Sequence, residues 1–510
     1  MPTLTALSAS VGEIDTSDNL SAAQLFGKVF IANGANLKVI DWINTKLTTT
    51  NLGANPPDFS NTLTGVTSGA VMVVDYITAL SSACTIYGKK TTAANTFASG
   101  ETVTGLDDDG NAISFVLSAN EVAPAPHWYD WTVYGNSATF GVLPARAYLV
   151  ATYQARVVVG GDPNNPNQWW MSKSTNPWMY AYEVNNDLSA NYGLAGPLGQ
   201  TGDLLRALIP YKDDRLLLGC ASTIKAIVGN PSAGGEMAEI DLAHGLWGAD
   251  SWCFDNQGFL YFISANDGLC KMNLVLSTTT AVSVLPLPKF LDGLSPTTHR
   301  MCLGFDSERQ GIVITITTLL TGVCTAYFYS LKTEGFFPFS TPNECGVYSM
   351  VNYLANNPDD RGLLFGCRDG YIRKFDPTAK SDNVGATTQA IDAELVLPII
   401  QMGTEVIPGC LRSLNIETGG GAADGTFGDS DSVTVGVFPG DSAEAVAEDI
   451  QDGATPAVTA TVTGPGRQFT VRSRARGHYV GLRLSNSTAD STFSINRLTA
   501  DTNDLPPEGA

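Results

Sequence analysis

Val29-Phe30-Ile31-Ala32-Asn33-Gly34-Ala35-Asn36-Leu37-Lys38-Val39-Ile40 reads as an apolar strand, a small-residue step, a tight polar turn and a second strand. Asn-Gly between two apolar runs signals a hairpin, because a two-residue turn needs residues that accept a positive φ. The unit recurs at Leu216-Leu217-Leu218-Gly219-Cys220 through Ile224-Lys225-Ala226-Ile227, and at Phe259-Leu260-Tyr261-Phe262-Ile263 through Asp267-Gly268-Leu269. It recurs again at Leu363-Leu364-Phe365-Gly366-Cys367-Arg368-Asp369-Gly370-Tyr371-Ile372, with weaker copies at Arg156-Val157-Val158-Val159-Gly160-Gly161 and Gly311-Ile312-Val313-Ile314-Thr315-Ile316. A hairpin repeated every ~40 to 60 residues is the mark of a β-propeller, in which each blade buries its faces only against its neighbours. The expectation is an all-β chain whose main body is a β-propeller of about six blades.

Outward from these hairpins the grammar changes twice. From about Pro56 to Val133 short strands separated by glycines lack the blade spacing, as in Gly65-Val66-Thr67-Ser68-Gly69-Ala70 and Phe97-Ala98-Ser99-Gly100-Glu101-Thr102. This predicts a small β-barrel or sandwich over 56–133, inserted in a propeller made of 1–55 and 134–387. A polar linker, Pro377 to Thr388, leads to a β-sandwich over 388–500, and 501–510 reads as a flexible acidic tail. Helical periodicity is nearly absent; the longest candidate runs from Ser442 to Asp449.

The chain has 510 residues, of which 44% are hydrophobic and 15% charged. That balance suits a large core or a subunit covered by neighbours. With 29 basic against 50 acidic residues the formal net charge is −21, which argues against a general affinity for nucleic-acid backbones or anionic lipid. An acidic wall can still serve DNA as a duct, because phosphates that are not bound slide; ordinary solubility is the other reading of the same charge. The nine cysteines include no CxxC pair and no Cys/His cluster of metal-ligand spacing. Cys220, Cys253, Cys302, Cys324 and Cys367 sit in apolar runs and read as buried, reduced residues. The start Met1-Pro2-Thr3-Leu4 has no basic and apolar leader pattern, and no window of about 18 apolar residues occurs. Cytoplasmic synthesis without a membrane span is therefore expected.

Few residues suggest chemistry. The four histidines, His127, His244, His299 and His478, lie in different regions without a Gly-x-Ser-x-Gly elbow. Neither a Walker loop nor a dinucleotide-binding glycine pattern is present. Asp107-Asp108-Asp109-Gly110 lacks the alternate spacing and distal glutamate of a calcium loop, and Asp424, Asp429 and Asp431 receive the same reading. Asp41, Asp214 and Asp306 lie at turn or strand-end positions and read as surface acids rather than as paired glycosidase carboxylates. No catalytic residue, metal ion or cofactor is expected.

Two stretches are dense enough to suggest contact. In Arg467-Gln468-Phe469-Thr470-Val471-Arg472-Ser473-Arg474-Ala475-Arg476-Gly477, strand alternation puts Arg472, Arg474 and Arg476 on one face. They read either as an exposed face paired with acids of the same domain or as a patch facing a subunit or DNA. Trp169, Trp170 and Trp178 read as blade packing or as interface anchors.

Several of these segments resemble propeller proteins of tailed-phage tails. The resemblance lies in Phe26-Gly27-Lys28-Val29-Phe30-Ile31-Ala32-Asn33-Gly34 with Asp41, in Arg156 to Pro163 leading to Ser172-Lys173-Ser174-Thr175-Asn176-Pro177, and in Gly219 to Gly235. The group most similar is the tail nozzle or tail-hub family of short-tailed phages, which includes packaged-DNA stabilisation proteins. Gly65 to Ala70 with Phe97 to Thr102 is similar to a small β-module of phage structural proteins, and Arg474 to Asn486 resembles the family's carboxy-terminal signature. The resemblance implies a non-enzymatic virion protein: a homohexameric ring around a DNA channel, joined to an adaptor or portal-proximal ring above and to fibre or needle proteins below. It would retain packaged DNA and conduct it during ejection. The rival expectation is a glycan-binding or glycan-cleaving tail component.

Overall fold

The computed structural model describes residues 19–182, 188–193, 199–287, 289–342, 345–376, 379–384, 387–404, 407–419, 430–464 and 468–504. The chain is all-β, built of antiparallel sheets, and divides into two compact units, the first taking in residues up to 297 with 301–307 and 356–360, the second 298–300, 308–355 and the residues from 361 on.

The first unit holds four meanders of four antiparallel strands. They are Ser21–Leu25, Lys28–Ala32, Leu37–Asp41 and His127–Asp130; Leu149–Tyr153, Arg156–Asp162, Asn165–Met171 and Asn191–Tyr192; Leu205–Tyr211, Arg215–Cys220, Ile224–Val228 and Glu236–Asp241; Trp252–Phe254, Leu260–Ser264, Gly268–Asn273 and Thr278–Ala281. Inner strands are apolar on both faces because both are covered, and every residue of Arg156–Asp162 is buried. Alternate residues of that strand enter different cores. Val157 and Val159 pack with Phe30 and Ala32 of the first meander, whereas Val158 packs with Leu216 and Leu218 of the third. Leu217 then faces the other way, toward Leu260 and Phe262 of the fourth. Consecutive meanders thus share a core face to face.

The small residues in the repeated unit allow that approach. A Cβ on Gly160 would come 2.6 Å from Leu205 Cδ2 of the next meander. In the turn of the first hairpin, Gly34 has φ +81°, and Asn33 Oδ1 accepts from the backbone N–H of Asn36 at 2.8 Å.

Between the third and fourth strands of the first meander the chain builds a six-stranded sheet. Its spatial order is Thr45–Thr49, Cys84–Lys90, Val71–Ile77, Thr62–Gly65, Thr102–Leu106 and Ala112–Val116. This corrects the expected bounds at both ends. Thr45–Thr49 belongs to the insertion because it pairs with Cys84–Lys90, and His127–Asp130 returns to the first meander beside Leu37–Asp41. Glu101 ties the module's two glycine-containing loops together, accepting from Thr67 and Ser68 N–H at 2.9 and 2.6 Å and from Ala98 N–H at 3.1 Å.

In the second unit, Gly311–Thr318, Cys324–Ser330 and Phe336–Phe339 follow one another in a sheet, as do Val347–Tyr353, Gly362–Cys367 and Ile372–Lys374. The expected linker instead contains a hairpin, Ser381–Val384 with Thr387–Ala390, since backbone pairing does not require apolar side chains. Two further sheets follow. One orders Ala393–Val396, Tyr479–Asn486, Ser432–Gly440 and Val458–Thr463, and the other Gln468–Gly477, Gly409–Thr418 and Ile495–Asp504. Their facing residues, among them Val435, Leu482, Leu414 and Val471, share one core. Helix α1 (Ala443–Gln451) starts at Ser442, whose hydroxyl caps Ala445 N–H at 3.1 Å. The strand ending at Asp504 takes in the first part of the expected flexible tail, with Asp501 in register with Ser413.

Candidate functional site

The arginine strand Gln468–Gly477 pairs with the central strand Gly409–Thr418. Val471, Ser473 and Ala475 are buried, while Arg472, Arg474 and Arg476 are exposed. One irregularity interrupts the ladder. Leu411 pairs with Ala475 and Ser413 with Arg472, so Ser473 and Arg474 together oppose Arg412, and Arg474 takes φ +49°. The Ser473 hydroxyl donates to Leu411 O at 2.6 Å and fixes the bulge from inside.

The bulge brings in a fourth cation that sequence reading missed. Arg412 is exposed on the same sheet, and assigning the Asn503 amide by its partners places its oxygen 2.6 Å from Arg412 Nη2. The signal lay in Cys410-Leu411-Arg412-Ser413-Leu414, where apolar residues bracket a lone arginine. Acids on the adjoining strands are Glu417, in register with Arg497, and Asp501, which shares a row with Arg472 across Ser413. Among the described residues, no ion pair holds Arg472, Arg474 or Arg476, although Asp501 shares the row of Arg472.

The other outer side of this two-sheet body carries α1 and its carboxylates, with Arg483 over the Phe438 ring at 5.2 Å. Val446 and Ile450 of α1 pack on Phe438 and Tyr479, and a Cβ on Gly481 would come 2.6 Å from Ile450 Cδ1. Because Val480 and Leu482 face the shared core, Gly481 and the helix lie on the opposite face. Asp441, Glu444, Glu448, Asp449 and Asp452 are exposed there, and the last turn of the helix has no basic residue. Glu444 and Glu448 stand four residues apart with like charge, which costs a few tenths of a kcal/mol. Asp449 and Asp452 also oppose the negative end of the helix dipole.

The tryptophans are not surface anchors. Trp169 and Trp178 are fully buried and Trp170 is 8% exposed, so the expectation of an interface role is corrected to packing within the chain. Trp169 and Trp170 point to opposite faces of one strand and enter two different cores.

The remaining titratable groups form local structure. Asp41 is not a surface acid. It is fully buried, accepts from Ile43 and Asn44 N–H at 3.0 and 3.1 Å, and takes the Tyr129 hydroxyl at 3.1 Å. Asp306 is also buried, whereas the side chain of Asp214 is exposed. Asp107 closes its own turn by accepting from Asn111 N–H at 2.6 Å. Asp431 accepts from Lys380 Nζ at 3.1 Å, while Asp424 and Asp429 lie outside the described residues.

His244 sits between Asp241 at 2.8 Å and Asp267 at 3.5 Å, but the hydroxyl nearby is that of Thr279, which donates to Asp241. His127 meets Asn44 O at 2.9 Å, and burial lowers its pKa. His299 pairs with Thr298 and His478 with Thr404 O. Among the described residues no group of His, Cys, Asp and Glu has the arrangement of a metal site. Cys220, Cys253 and Cys302 are buried as expected, whereas Cys324 and Cys367 are partly exposed.

No family model and no curated protein matches the chain. Among solved structures, a candidate exported protein from Bacteroides fragilis NCTC 9343 aligns at 6% identity over 58% of this chain and 75% of that one, with TM-score 0.24. The extracellular domain of a candidate one-component system from B. thetaiotaomicron aligns at 11% identity, over 97% and 88%, with TM-score 0.21. The tricorn protease aligns at 8%, over 68% and 46%, with TM-score 0.22. No helix among the described residues is long and apolar enough to cross a membrane.

Proposed function

We propose that this protein is a structural, non-enzymatic component of a bacteriophage tail. In this reading its meanders are blades of a propeller of about six blades, the six-stranded sheet is a module set into the first blade, and the carboxy-terminal pair of sheets is a β-sandwich. Copies associate as a homohexameric ring around a channel, in contact with adaptor and fibre or needle proteins of the virion. The ring retains packaged DNA and conducts it at ejection without reading its sequence.

Consecutive meanders sharing cores face to face support the propeller. The resemblance of the blade and carboxy-terminal motifs to the tail nozzle and hub family supports the virion role. The observation that carries assembly is the exposed arginine face with no ion pair to Arg472, Arg474 or Arg476 among the described residues, on a chain of net charge −21. Cations left unmatched on so acidic a protein suit an acidic neighbour. The same acidity keeps a channel wall from holding phosphates.

The test is the mass of the purified protein in solution with imaging of the particles. A species of about six times the chain mass with a central hole is expected. A chain that stays single at all concentrations, alone and with tail components, overturns the reading.

A further inference from the structure

The two charged faces carry an inference furthest, because each supplies what the other lacks and both belong to the same two-sheet body.

We infer that the arginine face of one copy docks on the α1 carboxylates of the next copy, making a head-to-tail contact. This rests on the proposed ring and names the surfaces that would close it. Arg472 and Arg476 stand on the outer side of the sheet containing Gln468–Gly477, beyond the core residues Val471 and Ala475. Glu444, Glu448 and Asp452 stand beyond the other sheet, on the far side of Val446 and Ile450. Basic and acidic faces on opposite sides of one body cannot satisfy each other within a chain.

They can do so between chains. Each copy then offers one free face of each sign, which gives a heterologous contact rather than a two-fold one, and such a contact makes a ring if its rotation closes. The sign pattern also sets polarity. Basic meets basic and acidic meets acidic in the wrong orientation, which disfavours back-to-back pairs. The like charges gathered on α1 are unfavourable for an isolated helix and become favourable against arginines.

The experiment uses three full-length variants. Variant one is Arg472→Glu with Arg476→Glu, variant two is Glu444→Lys with Glu448→Lys, and variant three carries all four changes. Arg474 is left in place because of its positive φ at the bulge. All four positions are exposed, so circular dichroism should match the parent. Sedimentation is read for each variant alone, for the first two mixed, and for the parent across salt concentrations.

The expected result is that variants one and two fail to assemble alone, with the half-assembly concentration raised on the order of tenfold or more. Their equimolar mixture and variant three should recover part of that assembly, because the exchanged glutamates again face the exchanged lysines while Arg412, Arg474 and the α1 aspartates keep their signs. Parent assembly should weaken with salt. If variants one and two form rings like the parent, this contact is overturned while the ring survives. If variant one fails and the mixture does not recover, the arginines meet something other than α1, and the inference is again overturned. A parent that never assembles overturns both the ring and this contact.

Discussion

Tyr76 and Trp178 stack with ring centroids 4.3 Å apart and planes 26° from parallel, although Tyr76 lies in the six-stranded sheet and Trp178 follows the third strand of the second meander. Tyr76 also stacks on Tyr129 of the first meander at 5.4 Å, and Tyr129 on Tyr87 at 4.2 Å. Polar groups surround the stack: Lys28 pairs with Asp75 at 2.5 Å, and Asn44 donates to both Asp75 and Asp41. The insertion is therefore held by buried aromatic surface and a hydrogen-bonded polar junction rather than swinging from two loop connections.

Removing the indole should loosen that junction. Trp178→Ala is expected to cost about 3–5 kcal/mol, as for other fully buried large aromatics. Denaturant unfolding checks it; a loss below about 1 kcal/mol would mean the cavity collapses and the stack is dispensable.

Lys28 is 2% exposed and pairs with Asp75. Asp75→Asn leaves a buried ammonium uncompensated and should cost about 3–5 kcal/mol. Lys28→Met combined with Asp75→Asn should cost less than Asp75→Asn alone, because the stranded charge is gone. A double-mutant cycle on unfolding free energies reads this directly, and strict additivity would refute the coupling.

How far these features were legible depended on whether they were local. The alternation of Val471, Arg472, Ser473 and Arg474 is written in adjacent residues, and burial follows it through the bulge. Helix α1 was visible as a short candidate near Ser442. Trp169 and Trp170 were ambiguous because sequence density does not reveal that their strand is covered on both faces. The start of the insertion was hidden because Thr45–Thr49 is assigned only by pairing with Cys84–Lys90. Asp41 looked like a surface acid because its partner Tyr129 arrives only after the whole insertion.

Glu101 makes the insertion sensitive to acid. Burial alone would raise its pKa, but the amide bonds from Ser68, Ala98 and Thr67 outweigh it and hold the carboxyl below its ordinary 4.5. A lowered folded value contributes stability fully present above the unfolded pKa and lost as pH falls through 4.5 and below. Glu101→Gln should reduce stability at neutral pH by about 1–3 kcal/mol and flatten the acid limb of the stability curve. Equal acid slopes in parent and variant, measured by urea unfolding at several pH values, would remove Glu101 from that role.

Cys345 reports on an ion pair in the second unit. Arg373 donates two bonds to Asp369, at 2.8 and 2.6 Å, and holds its carboxyl down at about 2. The Cys345 thiol donates to the same carboxylate at 3.2 Å. Burial first, and then that carboxylate, push the thiol up to about 11, while Arg373 pulls the other way. At pH 8 only about one molecule in a thousand carries the thiolate, which is the reactive form. Asp369→Ala removes an acceptor that favours the neutral thiol, so alkylation of Cys345 should run several-fold faster, with its pH midpoint shifted downward. Arg373→Met removes the opposing cation and should shift the midpoint upward. Peptide-resolved alkylation across pH separates this from simple opening of the site, because opening would speed the reaction in both variants, whereas electrostatic control moves them in opposite directions.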